Sequence, residues 1–567
     1  MTEVTNLQEL KTIIGGSGLI NDGVEIRYVK GHTTSGDGGG GIFIWRTLDI
    51  FTSTNPTIGK YSTDNNGTII QSINNGIPNN NGRWIRQYDG YINVLYFGCF
   101  GVGNDYTVQL QRAVDFASQN SKSNPTLKGS TVYLPNGSYV ISNILLKTGV
   151  SILGESIERT LIYSPGGLAT EYLFEIESGP VFLNISNLRL IGNNTEKGCF
   201  RFKASNGLEY PFHGGLWNSK ISDIEISNFR GHGIYLFGGG DGSDGLLPNQ
   251  FNVFENVRVS KTTDFSNALK MNGQNGQISF INCTFDGFFT STGEGDDTVY
   301  YFSRGHNINI QNEKQYTSAV ISFINCTCQA GDYGMVIEWA ENITMDNCWF
   351  ESLGVAITVK SNYADKNNDV PCKSINILNN RFANAAGFGS LNAPKNIKDG
   401  QCVNISKSFV TVNNNFVVVT KPEGQYFNDD SAFLVAYNNT IGGVNAINNT
   451  FQAYKLGKTF GIMEVIEVDS LDNSIDCSGH KLLFVNGSNT IIKTIKSFIC
   501  GGEILIIRAN TNPITFSNAG NIFFSTLNPN NTFQLNNGEI ATFVKIDNFV
   551  TPNFGTYQLV SIMRQVV

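Results

Sequence analysis

The stretch "ISFINCTFDG" (278–287) decides the fold, because the chain writes it again as "ISFINCTCQA" (321–330) and "ITMDNCWFES" (343–352). Each copy opens apolar, any, apolar, any, Asn, Cys. Looser copies follow at 375–382 ("INILNNRF"), 410–417 ("VTVNNNFV") and 444–451 ("VNAINNTF"), with "IEISNF" at 224–229 upstream. The register Asn residues are Asn282, Asn325, Asn347, Asn379, Asn414 and Asn448, spaced by 43, 22, 32, 35 and 34 residues. A unit of 22 residues or more, made of short alternating strands and polar bends, cannot bury its own apolar face. Such units stack as the coils of a parallel β-helix, and equivalent residues form ladders. Asn tolerates the left-handed backbone of a sharp bend and can bond to the next coil. The ladder is expected to be buried, which makes the Asn-x-Thr sequons within it coincidental. A β-sandwich would also supply short strands, but it does not explain the Asn register.

Composition agrees with an all-β chain. Of 567 residues 40% are hydrophobic and only 15% charged, with 61 Gly and 39 Phe. The net charge of -8 and the lack of a basic run argue against nucleic acid or an anionic membrane as partner. The N-terminus lacks the basic and apolar pattern of a secretory signal, and no apolar run reaches 18 residues. The ten cysteines match no zinc spacing. Cys326 and Cys328 share one strand face, awkward for a disulfide, so buried free thiols formed in a reducing cytoplasm are expected.

Upstream, "YINVLYFGCFGVGNDYTVQLQRAVDFAS" (91–118), "GSTVYLPNGSYVIS" (129–142) and "LLKTGVSILGES" (145–156) resemble the entry of the pectate-lyase-like right-handed β-helix of bacteriophage tailspikes and capsular polysaccharide depolymerases. There a Phe-Gly turn and an acidic loop lead into a short helix that caps the coil stack. Leu110, Val114 and Ala117 would form its apolar stripe, with Asn104 or Asp105 at its start. Val102 and Tyr106 stand where the family has acids. The segments "VKGHTTSGDGGGGIFIWR" (29–46) and "GRWIRQYDG" (82–90) resemble the small β domain before such helices. Gly38–Gly41 reads as a tight β turn, since no Gly-Lys-Ser/Thr follows. The resemblance implies an attachment segment at 1–22, a small β domain at 23–90, a β-helix at 91–455 with its helix cap at 104–118, and a sandwich-like trimerisation or glycan-binding domain at 456–567.

Within a repeat the residues two and four places after the Asn face outward. The outward pairs are Thr284/Asp286, Thr327/Gln329, Trp349/Glu351 and Arg381/Ala383. An exposed Trp beside a carboxylate suits a sugar ring and an acid–base step, so Glu351 and Trp349 lead the candidates. Aligning "GMVIEWA" (334–340) with "GVAITVK" (354–360) on their first glycines sets Glu338 outward beside Thr358 and Asp332 in the bend before it. Pairing of Glu338 with Lys360 is the alternative. If the 43-residue step is two coils, Asp286 lies two coils from Glu351, ~9.6 Å away, near the upper end for an inverting pair. The stretch "GEGDDTVYYFSRGHN" (293–307) supplies Glu294, Asp296, Asp297, Tyr300, Tyr301, Arg304 and His306 as a loop over a groove. Arg304 with His306 would serve an elimination reaction on an acidic sugar. "GGDGSDGL" (239–246) fits one copy of a calcium repeat that needs many, and it reads as a glycine loop. His213 and His480 have no identifiable partners. No metal or cofactor is expected.

The resemblance implies a homotrimeric phage tailspike, located in the virion tail and attached to other tail proteins through its N-terminus. It would cut a bacterial capsule or O-antigen polysaccharide, by hydrolysis in preference to β-elimination. The alternatives are a non-cutting receptor adhesin of the same fold, or a bacterial polysaccharide lyase or epimerase.

Overall fold

The computed structural model describes most of residues 2–419 and the strands beyond. The larger stretches outside the description are 16–24, 48–62, 124–129, 166–171, 204–214, 240–247, 293–298, 313–316, 362–370, 384–400, 420–431 and the segments between strands after 437. The chain forms two compact units, Met1–Thr263 and Asp264–Val567.

The first unit opens with a five-stranded sheet in the order Thr2–Val4, Ile26–Val29, Gly41–Thr47, Gly82–Gln87, Ile69–Ile70. Helix α1 (Leu7–Thr12) begins at Asn6, whose side chain accepts the Glu9 N–H at 2.9 Å, while the Glu9 carboxylate accepts the Thr5 N–H. Leu7 and Leu10 of this helix pack with Val4, Phe43, Trp45 and Trp84 in one core. Residues 2–12 therefore pack with the small domain. The glycine turn exists because backbone must come close: a Cβ on Gly39 would lie 2.5 Å from the Leu95 carbonyl oxygen. Buried Arg86 donates to the Gly39, Gly40 and Gly67 carbonyls and lies between the Phe43 and Tyr96 rings, 4.5 and 4.3 Å from their centres. Burial lowers its pKa to about 10, still well within the charged range.

The Phe-Gly turn ends a 3-10 turn at Gly98, φ 82°. Helix α2 (Thr107–Ser123) starts three residues later than expected, with Asp105 accepting the Thr107 N–H at 2.9 Å. Leu110, Ala113, Val114 and Ala117 are fully buried over the first coil. Gln111 pairs its amide with both backbone groups of Leu145, closing part of the exposed edge. The coils that follow run in parallel register, for example Ser186 with Ser222 and Glu255. A left-handed row of Asn187, Asp223 and Asn256 turns the corner between two of their sheets.

The second unit continues as a right-handed parallel β-helix with three sheets. Ile278, Ile321 and Ile343 lie side by side in the first sheet, Thr284, Thr327, Trp349 and Arg381 in the second, and Ile308, Met335, Ile357 and Val403 in the third. The repeat is thus a true coil. Its 43-residue step is a single coil, not two: an antiparallel hairpin, Phe289–Thr292 with Val299–Gln311, is inserted without disturbing the register.

The Asn ladder differs from expectation in one respect. Asn282, Asn325, Asn347, Asn379 and Asn414 all hold φ between 53° and 57°, but they are exposed. Asn448 lies outside the described residues. The left-handed turn sends the Asn side chain outward and the next residue inward. The buried row is therefore Cys283, Cys326, Cys348, Asn380 and Asn415, with half-buried Asn449 at its end. Thiols and amides reach the same carbonyl of the preceding coil. Cys326 and Cys348 donate to Phe280 and Phe323, whereas Asn380, Asn415 and Asn449 donate to Met345, Ile377 and Val412. The amides also accept: Asn380, Asn415 and Asn449 take the N–H groups of Cys348, Asn380 and Asn415. Contact with the Cys283 thiol, together with burial, pushes Cys326 up to about 12, so it remains a thiol and a donor. All eight described cysteines are free and buried.

The unit ends in two packed sheets. One has six strands, including Leu482–Asn486, Ile504–Ala509, Ile540–Ile546 and Thr556–Met563; the other has Ile491–Ile492, Ile514–Ser517 and Thr532–Leu535. Ile507, Phe516, Leu535 and Phe543 form the core between them.

Candidate functional site

The outward ladders of the second sheet follow the register read from the repeat: Asp286, Gln329, Glu351 and Ala383 form one row, and Thr284, Thr327, Trp349 and Arg381 the other. Parallel strands lie ~4.8 Å apart, so Asp286 and Glu351 are ~9.6 Å apart at the backbone, with Gln329 on the rung between. The two-coil separation stands, although the counting behind it does not. Asp286 is only 5% exposed. Its row faces out, but its strand runs directly into Gly287 and the hairpin, and the carboxylate is enclosed and not solvated as expected.

Trp349 is 37% exposed, and its Nε1–H donates to Glu351 Oε2 at 3.1 Å. Arg381, one coil on, lies over the indole with its guanidinium carbon 4.5 Å from the ring centre. The neighbour on the other side is Thr327, too short to cover a second ring face. Glu351, Trp349 and Arg381 thus form one connected group with a capped face and a face bordered, in its strand register, by a small side chain.

Glu338 stands apart on the third sheet. Its register partner is Lys360, and Thr358 pairs with Val336. The offset of 22 residues that joins Thr327 to Trp349 holds along the whole strand, and aligning the two glycines breaks it by two residues. Glu338 Oε2 accepts from Gln311 at 3.0 Å and faces Lys360 Nζ at 3.3 Å. The alternative of an ion pair with Lys360 is the arrangement observed. Asp332 is buried, and the bend precedes it at Ala330, φ 59°.

The stretch 293–307 is not a loop throughout. Residues 299–307 belong to the second hairpin strand, which continues into the third sheet. Glu294, Asp296 and Asp297 lie outside the described residues, as do the side chains of Tyr300 and Tyr301, whose backbones pair with Ser291 and Thr290. Arg304 is exposed, 3.9 Å from Asp264. His306 meets the Tyr333 ring edge-on at 5.2 Å. Burial, then Asp332, raises the Tyr333 pKa. The structure therefore gathers Asp286, Gln329, Glu351, Trp349 and Arg381 on one face, with Asp332, Tyr333 and His306 around the following corner. Sequence reasoning does not single out Gln329 and Tyr333: a neutral amide and a strand tyrosine carry no signal until the register places them. Most of "GGDGSDGL", His213 and His480 lie outside the described residues. Among the described residues no group of three His, Cys, Asp or Glu side chains converges as metal ligands, and no helix is long and apolar enough to cross a membrane.

Residues 3–89 match the family model of the phage tail protein small four-stranded β-sheet domain. The whole chain is similar in fold to the enzymatically active domain of tailspike protein 2 of bacteriophage CBA120, at 15% identity and a TM-score of 0.53, over 99% of this chain and 79% of that one. Two further solved structures are similar at 15% identity. A tailspike of Acinetobacter baumannii bacteriophage Fri1, a capsular polysaccharide depolymerase, has a TM-score of 0.45 over 81% of this chain and 76% of that one. The A-module of a mannuronan C-5 epimerase of Azotobacter vinelandii has 0.43 over 64% and 96%. No curated protein matches in sequence.

Proposed function

We propose that the protein is a phage tailspike that binds and depolymerises a bacterial surface polysaccharide, capsule or O-antigen, by carboxylate-catalysed hydrolysis. The observation that carries this reading is the outward Trp349–Glu351 pair, with Asp286 two rungs away on the same row. A sugar ring stacks on the open indole face, and Arg381 holds the opposite face fixed. Glu351, the more accessible carboxylate, takes a proton from the attacking water. The water oxygen bonds to the anomeric carbon as the glycosidic C–O bond breaks, and Asp286 gives the leaving oxygen its proton. Separation by two rungs leaves room for that water. Glu338, already bonded to Gln311 and Lys360, supports the wall, and Asp332 lines the corner.

The phage tail domain supports a place in the virion tail, joined to other tail proteins through the N-terminal domain. The C-terminal pair of sheets is the element proposed to hold a homotrimer. The test is mass spectrometry of surface polysaccharides from a host panel after incubation with the protein. Oligosaccharides one water heavier than whole repeats are the expected products. Fragments lacking that water would replace hydrolysis by elimination and turn attention to Arg304 and His306. Intact polymer that still binds would reduce the protein to an adhesin.

A further inference from the structure

Phe265 is 70% exposed and sits at φ 59°. A bulky side chain in left-handed backbone is strained, and such strain normally persists where burial or function maintains it. Burial does not maintain it here, and the ring has no aromatic partner among the described residues. Its backbone is nevertheless fixed with care. The Phe265 N–H donates to the Arg304 carbonyl at 3.0 Å, and the Arg304 N–H donates to Asp264 Oδ1 at 2.9 Å. Gly305, at φ 84°, makes the approach possible, since an added Cβ would lie 3.0 Å from the Phe265 Cα. Beside it Asn267 clamps the His306 carbonyl at 2.8 Å, and His306 meets Tyr333 of the next coil.

Three rings thus stand near one corner on three successive coils: His306 meets Tyr333, and Phe265 lies two residues before Asn267, the register neighbour of His306. Tyr333 follows Gln329 by four residues on the same strand, so the strip borders the carboxylate row. We propose that Phe265, His306 and Tyr333 form an accessory stacking track for the same polysaccharide, running along the coil axis and holding sugar units beyond those at Trp349. This rests on the glycan reading above. Sugars present apolar C–H faces that stack on aromatic rings, and an exposed ring followed by two half-buried ones on successive coils suits an extended polymer and not a compact ligand. The strain at Phe265 is then the cost of holding a ring out into solvent.

The test uses the full chain carrying E351Q, so that the polymer stays intact, with F265N and Y333L added separately. Migration is measured in native gels containing purified capsular polysaccharide from the strain that retards the parent most. F265N is expected to weaken retardation about ten-fold, the weight of one ring contact, and to raise the melting temperature, because Asn accepts the left-handed conformation. Y333L is expected to weaken retardation by a smaller factor. Retardation of F265N equal to that of the parent, or a lower melting temperature, would overturn the track. A parent retarded by no polysaccharide would overturn the glycan reading itself, and the track with it.

Discussion

Two rows run along the second sheet a few residues apart and behave in opposite ways. Along the inward row, from Cys326 to Asn449, every coil satisfies the same carbonyl of the coil before it, by a thiol at first and an amide later. The outward row changes at every rung, from Asp286 through Gln329 and Glu351 to Ala383. Uniformity marks the residues that hold the stack together, because a ladder is satisfied only by partners of matching reach. Variation marks the residues free to meet something outside it. The difference also separates stability from activity, which can be measured independently.

The largest effect should come from the outward row. E351Q is expected to lower depolymerisation about a thousand-fold, the usual weight of a general acid–base group, with an unchanged melting temperature; a loss of stability of comparable weight would break the separation. Next is the inward row. N415A removes the donor to the Ile377 carbonyl and the acceptor for the Asn380 N–H, and denaturant titration should show a loss of about 3 kcal/mol. C326A removes one weak donor and should cost about 1 kcal/mol, so equal losses at the two positions would show that thiol and amide are equivalent after all. W349A should weaken polysaccharide binding about ten-fold without loss of stability, read from the same gels. The smallest change is a gain. Val320, 49% exposed at φ 59°, occupies a left-handed row with Gln277, Asn342 and Ser374. V320N should stabilise by about 1 kcal/mol, measured by thermal melting.

The coil, its strands and its outward pairs are legible in the sequence because the Asn-Cys and Asn-Asn junctions repeat against a two-residue alternation. Burial at that junction is displaced by one place from the sequence expectation. Two adjacent small polar residues look alike in sequence, and only the left-handed turn decides which of them points inward. The glycine alignment sets Glu338 beside the wrong neighbour, because two glycines are a weaker marker than an offset already fixed upstream. The enclosure of Asp286 depends on where the chain goes after Gly287, which is not a property of its own strand. Phe265 carries no sequence mark at all: its strain is conformational, and "TTDFSN" reads as an ordinary loop.

The hairpin between Phe289 and Gln311 lengthens one coil to 43 residues, while its neighbour closes in 22, and yet the rungs on either side stay level. A corner of the stack therefore acts as a socket. Length and chemistry can be exchanged there in one piece, next to the carboxylate row, without any renegotiation of the scaffold. If the proposed polysaccharide reading holds, this separates the part that meets the ligand from the part that has to fold. A new recognition arm can be tried against an old machine.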